Sequence, residues 1–416
     1  MGPTPSSHLR SDERPPMLDL IVAADSAIDR PLAVPDGLAE PLSQRMRQAP
    51  LTALRQVYQL ARQHEARGVV LCGKVLDSLR ASPAQVIAVR RLILEAAADG
   101  CETVWVTSNP TAPHEVQRML GEPAGLSFAT PVNPWTATIR SATVELWAIA
   151  GPADAERAVA AESPVSLHRR LLIGCEAELG RSARQTLPPA VLARPDTLAI
   201  WASRSTADLP PGVLWLPPLQ PRSRDRQLPE GCHGLRLYRP PVADAAAAAP
   251  PDPGTAVASW QSLPAAAVVW RTICIESAEG DHARLAESLW RALEPLAAEP
   301  PQPAVARPLT LVDCQVSCGT SVERRIEVGA AAEATLRLLR DRCRTAAGDI
   351  WCEAVTADAD ESLAPLGHSR SGGRPGASNS FTSALADIVT EQETTGHGGS
   401  LDREAGWLAL ELLAAD

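Results

Sequence analysis

The stretch Leu18-Asp-Leu-Ile-Val-Ala-Ala-Asp25-Ser-Ala-Ile-Asp29 decides how this chain is read. Its apolar run from Leu18 to Ala24 is short, rich in aliphatic and β-branched residues, and ends on a carboxylate. That predicts a buried strand delivering Asp25 to the edge of a sheet. The pattern recurs twice: Val69 to Cys72 precedes Gly73-Lys74-Val-Leu-Asp77, and Glu102 to Thr107 precedes Ser108-Asn109-Pro110-Thr111. Between these runs, Leu51 to Arg67 carries Leu51, Leu54, Val57, Tyr58, Leu60 and Ala61 on one helical face and stops at Gly68. Ser82, Pro83 and Gln85 form a capping box with proline at the first helical position, opening a second helix that ends at Gly100. Strand-helix-strand-helix-strand order implies parallel pairing with right-handed crossovers, so Asp25, Lys74 and Asn109 are expected at one carboxyl edge.

The 416 residues, 45% hydrophobic, can bury a sizeable core and suggest two or three domains. With 38 prolines and only 3% aromatics, that core must be mainly aliphatic. A formal net charge of −10 argues against a broad grip on phosphate backbones, so any DNA contact is expected to be weak or indirect. No apolar run approaches the roughly 20 residues of a membrane span, and residues 1–16 have no secretory apolar core. Nine scattered cysteines without an export signal imply a reducing, cytoplasmic setting. Cys314 and Cys318 are the closest pair, but two thiols lack the two further ligands of a zinc site.

Further strands are expected at Thr143 to Ala150, Arg170 to Cys175, Thr197 to Trp201, Gly212 to Pro217 and Gly234 to Arg239, as a second sheet. The fold class is therefore α/β, a two-sheet sandwich followed by a small β-α-β-α-β domain. The divisions are a tail over 1–16, a main domain over 17–241, an Ala- and Pro-rich linker over 242–256 and the small domain over 257–356. A Gly/Ser/Asp-rich flexible segment spans 357–399. Residues 400–416 read as an amphipathic helix with Trp407, Leu410 and Leu413 available to dock on its own domain or a partner.

In order and spacing, the three strand-ending segments resemble the D-x-H, G-D-x-x-D and G-N-H-D motifs of the calcineurin-like metallophosphoesterases, most closely the SbcD-type DNA-repair exonuclease branch. Asp29-Arg-Pro-Leu with Pro35-Asp-Gly-Leu looks like the loop after that family's first metal motif. Leu216-Pro-Pro-Leu-Gln-Pro-Arg-Ser-Arg followed by Gly231-Cys-His resembles its P-G-(S/T)-x-Q-x-R-S segment, and the small β-α-β-α-β domain is similar in order to its cap. The resemblance implies a site where carboxylates, imidazoles and an amide hold two cations about 3.5–4 Å apart. By it, Asp25 and Asn109 remain at metal-ligand positions. Ala27 stands at the first His, Lys74 at the bridging Asp, Pro110 at the acid-base His and Ile173 at a further His. Trp201-Ala202-Ser203-Arg204 replaces G-H-x-H. Lys74, Asp29, Asp77, Thr111 and Arg204 are expected around the pocket, Lys74 either pairing with Asp25 or facing solvent, and Asp29 and Asp77 shaping loops.

None of the eight histidines falls on a motif position, and His114 reads as a first-turn helix residue. The resemblance therefore implies a degenerate member, inactive and without a cofactor, acting as a binding or scaffolding module with an SbcC-like ATPase or a second copy of itself. Two alternatives stay open. One is a weak metal-dependent nuclease or phosphodiesterase using Mn or Mg; the other is an unrelated ligand-binding protein on the same fold.

Overall fold

The apolar runs at Leu20–Ala24 and Gly68–Cys72 become strands buried on both faces. The computed structural model describes residues 17–139, 142–160, 168–175, 187–194, 196–203, 212–222, 231–237, 258–276, 281–298, 307–318, 322–346 and 349–358. The expectations for the tail 1–16, the linker 242–256, Arg204, the C-terminal helix 400–416 and nearly all of 357–399 lie outside these residues. The chain is mixed α/β and falls into two compact units. One is drawn from Met1–Arg271, Leu296–Val312 and Ala346–Trp351, the other from Thr272–Pro295, Asp313–Thr345 and Cys352–Asp416.

In the first unit, β1 (Leu20–Ala24), β2 (Gly68–Cys72) and β3 (Glu102–Val106) pair in parallel, with Ala24 opposite Cys72 and Cys72 opposite Val106. The connections are α1 (Glu40–Gln63) and α2 (Pro83–Ala98), the latter opened by the expected Ser82–Gln85 capping box. Helix α1 begins eleven residues before the expected Leu51 and runs through Pro50. An interior proline costs about 3 kcal/mol, but Ser43, Met46, Ala49 and Pro50 are all buried, and that packing carries the helix through. Next come α3 (Ala112–Leu120) and β4 (Leu126–Ala129), the latter parallel to β3.

A second sheet follows from β5 (Trp135–Ile139), β6 (Ala142–Ile149), β7 (His168–Cys175), β8 (Thr197–Ala202) and β9 (Val213–Leu216), with α4 (Pro152–Ala160) and α5 (Pro189–Leu192) between strands. Its order is β5-β6-β7-β8-β9, parallel from β6 onward. The strand expected at Gly234 to Arg239 does not belong to it. After β9, Pro218 bridges to Ala24 and the Leu219 N–H donates to the Ala24 carbonyl, carrying the chain back to β1. There β10 (Cys232–Leu237) pairs antiparallel with β1, and β11 (Ala258–Leu263), which the sequence places with the small domain, pairs with β10. The first sheet is thus β11-β10-β1-β2-β3-β4.

Alternation then assigns every face. Leu20, Val22, Val70, Cys72, Val104 and Val106 share one core with Val144, Leu146, Leu171, Ile173, Ile200 and Leu216 of the other sheet. Trp147, Leu172 and Trp201 point the other way and pack with Ala155, Ala158 and Val191 of α4 and α5. Beneath α1, the Tyr58 hydroxyl meets the Thr103 hydroxyl at 3.0 Å.

The remaining elements are β12 (Val268–Glu276), α6 (His282–Ala298), β13 (Leu309–Ser317), α7 (Val322–Thr345) and β14 (Ile350–Asp358), with β13 central in its sheet; the second unit takes the strands from Thr272, Asp313 and Cys352 onward, α6 up to Pro295, and α7. Leu285, Leu289 and Leu293 form the buried stripe of α6. Helix α7 runs through Gly329 without a break. Cys314 and Cys352 meet at 3.5 Å between sulfurs, both fully buried, and Cys318 donates to the Val316 carbonyl. These thiols are apolar filling of the interior. Among the described residues, no helix is long and apolar enough to cross a membrane.

Leu146 is fully buried between the two sheets. Leu146→Ala is expected to lower unfolding stability by about 2–5 kcal/mol, read from the urea midpoint at constant slope.

Candidate functional site

The register fixes where the three strand-ending segments emerge. Because β1, β2 and β3 are parallel and in step, Asp25, Gly73 and Thr107 all leave the sheet at one edge. The chain turns sharply there. Asp25 has φ 45°, Ala27 φ 38°, and Gly73 on the facing loop φ 72°. A left-handed backbone costs a residue with a side chain roughly 1–2 kcal/mol, so this turn must be held. Asp25 N–H donates to the Cys72 carbonyl at 3.0 Å, Ala27 N–H to Lys74 at 2.9 Å and Ile28 N–H to Val75 at 2.9 Å. From the stretch after β9, the Arg222 guanidinium donates to the carbonyls of Ala27 and Arg30, each at 2.7 Å.

The Asp25 carboxylate sits at the centre. Its Oδ1 accepts the Lys74 backbone N–H at 3.2 Å and the Cys175 thiol, at the end of β7, at 3.7 Å. One oxygen therefore gathers the ends of β1, β2 and β7. A Cβ added at Gly73 would lie 2.4 Å from both that oxygen and the Cys175 sulfur, so glycine is needed for space as well as for φ.

The other expected residues fall into three groups. Lys74 and Asp25 meet, but through the backbone N–H of Lys74, while Lys74 itself is exposed: the solvent-facing alternative is the one realised. Asn109 reaches the same edge at the end of β3, where its Oδ1 accepts the Thr111 N–H at 3.1 Å and hydroxyl at 3.0 Å. This closes the turn through Pro110 into α3, and His114 lies exposed in the first turn of that helix. Asp29 and Asp77 tie the two loops together. Asp29 Oδ1 accepts the Asp77 N–H at 3.3 Å, and Asp77 Oδ1 accepts the Leu79 N–H at 3.0 Å. Ile173 and Trp201 are core residues at 2% and 3% exposure, and the Trp201 ring fills the space that a side chain at Gly174 would occupy. Among the described residues, no three His, Cys, Asp or Glu side chains come together as a metal-binding group.

Three further residues take no role from the sequence, although Arg222 and His233 lie in the Gln-Pro-Arg and Gly231-Cys-His segments. Cys175 and Arg222 act from outside the first three strands; their only sequence signals are a strand end and the Gln-Pro-Arg segment. The third is His233, opposite Val22 on β10 and 4% exposed. Its Nε2 bonds the Trp215 carbonyl at 2.7 Å, so Nε2 carries the proton, while buried Nδ1 has no partner and the Trp260 ring stands edge-on at 4.9 Å. Burial lowers its pKa from 6.5, outweighing the hydrogen bond to Trp215.

Gly73→Ala is expected to destabilise the chain by about 1–3 kcal/mol, seen as a lower denaturant midpoint. The His233 contribution to stability is complete above its unfolded value of 6.5 and is lost as pH falls toward the lower folded value, because the unfolded chain takes up the proton first. Stability should therefore fall as pH drops below about 6.5, and His233→Gln should flatten that slope. The chain matches no protein-family model, and no curated protein matches it.

Proposed function

We propose that this chain is a degenerate SbcD-like phosphoesterase: a two-sheet metallophosphoesterase-like sandwich followed by a small cap domain, kept as a binding or scaffolding module after loss of its metal chemistry. The observation that carries the reading is the turn after β1, where a strained backbone persists at Asp25 and Ala27 although the groups that would justify it are gone. Strain of this kind gathers at functional sites. Its retention beside Gly73, at the carboxyl edge of parallel strands where such folds bind their ligands, supports descent from a working site.

The side chains support loss of catalysis. Two-cation hydrolysis needs a ring of anionic and imidazole ligands to activate water and stabilise the leaving oxygen. Asp25 already accepts a backbone N–H and a thiol, Asn109 already closes its own turn, and Ala27, Pro110, Ile173 and Trp201 offer no donor atom. Lys74, exposed and meeting Asp25 through its backbone N–H, offers no ligand where the bridging anion would stand. These residues do not fit a pair of divalent ions, so the module holds no Mn or Mg. Its partner is an SbcC-like ATPase or a second copy of the chain, with DNA contacted weakly or through that partner.

The test is elemental analysis of the purified chain together with nuclease assays on single-stranded and duplex DNA with manganese. The expected result is no stoichiometric metal and no hydrolysis above background; hydrolysis abolished by Asn109→Ala would overturn the reading. Lys74→Asp combined with Ala27→His should raise manganese affinity about tenfold or more, worth about 1.4 kcal/mol, in calorimetric titration. It should not restore cleavage, because Pro110 still stands where the acid-base imidazole belongs.

A further inference from the structure

On the helical side of the first sheet, α1 and α2 leave between them a groove of about 730 Å³. Its floor is made of small and apolar groups, among them Ala61 of α1 and Ala88, Leu92 and Ala96 of α2. The α2 residues recur at every fourth position, so they form a straight row along the helix. Beside them Ile87 is 66% exposed, an apolar side chain with no cover in this unit.

The rim has the opposite character. Arg55, Arg62, Arg67 and Arg91 line it in a chain whose net charge is −10. Arg62 pairs with Asp99 at 2.8 Å and Arg91 with Glu95 at 2.6 Å. Arg55 and Arg67 form no ion pair among the described residues, so the groove keeps two guanidinium groups beside an apolar floor.

We infer that this groove docks an acidic amphipathic helix from a partner protein. A straight channel between two helices accepts the ridge of a third, whose apolar side chains enter between the small residues. Carboxylates flanking that apolar face would meet Arg55 and Arg67, which supply orientation and rate of encounter. A nucleic acid fits less well, because it would leave the apolar floor unused; of the carboxylates that also line the groove, Glu95 and Asp99 are neutralised by Arg91 and Arg62, which leaves Glu65 against Arg55 and Arg67. A symmetric contact with a second copy would set arginine against arginine. The inference is independent of the strand-end site.

The test uses the full chain and a fluorescently labelled synthetic peptide with leucine on one helical face and glutamate flanking it, read by anisotropy. The controls are the same peptide with lysine for glutamate and a scrambled peptide of equal composition. The acidic amphipathic peptide alone is expected to bind, about tenfold more weakly to Arg55→Glu/Arg67→Glu, and not at all to Ala88→Trp, which fills the floor. Arg55 and Arg67 are exposed, so the double variant decides the matter even if Ala88→Trp misfolds. No binding by the acidic peptide, equal binding of either control, or binding unchanged in the double variant overturns the inference. So does self-association of the wild type lost in Ala88→Trp, which makes the occupant a second copy. Binding of single-stranded DNA that the double variant loses would likewise make it a nucleic-acid site.

Discussion

Everything at the strand-end site depends on parallel pairing of β1 with β2 and of β2 with β3. Both faces of these strands are buried, one against the second sheet and one against α1 and α2. A slip of one residue would exchange the faces of a whole strand and send its inward set outward. The register is therefore held by the core, and the core in turn fixes which residues emerge at the edge. Asp25 need not be steered to Gly73 by any contact of its own; five paired residues below it have already set its height.

Once there, the carboxylate is answered by hydrogen-bond donors of the chain itself. An N–H and a thiol are weaker partners than a cation, but both belong to strand ends that the fold already places, so little extra ordering is needed. Asn109 shows the same economy, with its amide oxygen closing the turn into α3. Both are polar groups that a metal-site reading would leave waiting for ions and that local geometry satisfies.

How much of this could be read from the sequence follows from the range of the interactions involved. Local signals were sufficient for β1 to β3 and the start of α2, where apolar runs end at Asp25, Gly73 and Thr107 and a capping box announces Pro83. They failed where tertiary packing overrides them: the helix read from Leu51 extends back through Pro50 to Glu40. They also failed for β10, whose sequence says strand but cannot say beside which partner. Asp25, Lys74 and Asn109 were legible because each follows a strand directly. Cys175 and His233 were not, since their neighbours come from strands more than a hundred residues away or from the far side of a crossover.

The short stretch from Pro218 to Arg222 has a dynamic consequence. Pro218 and Leu219 attach to Ala24, Gln220 holds the backbone of Ala267 and Val268 through both ends of its amide, and Arg222 fastens the turn at Ala27 and Arg30. Five successive residues thus clasp two segments, Ala24–Arg30 and Ala267–Val268, that are remote in sequence from them and from each other. Such a clasp cannot release one segment and keep the other, because Gln220 and Arg222 share a single run of backbone with the bridge to Ala24. The turn after β1, the return crossing from β9 and the entry into β12 therefore make up one cooperative unit of local unfolding, whose amides exchange with solvent together.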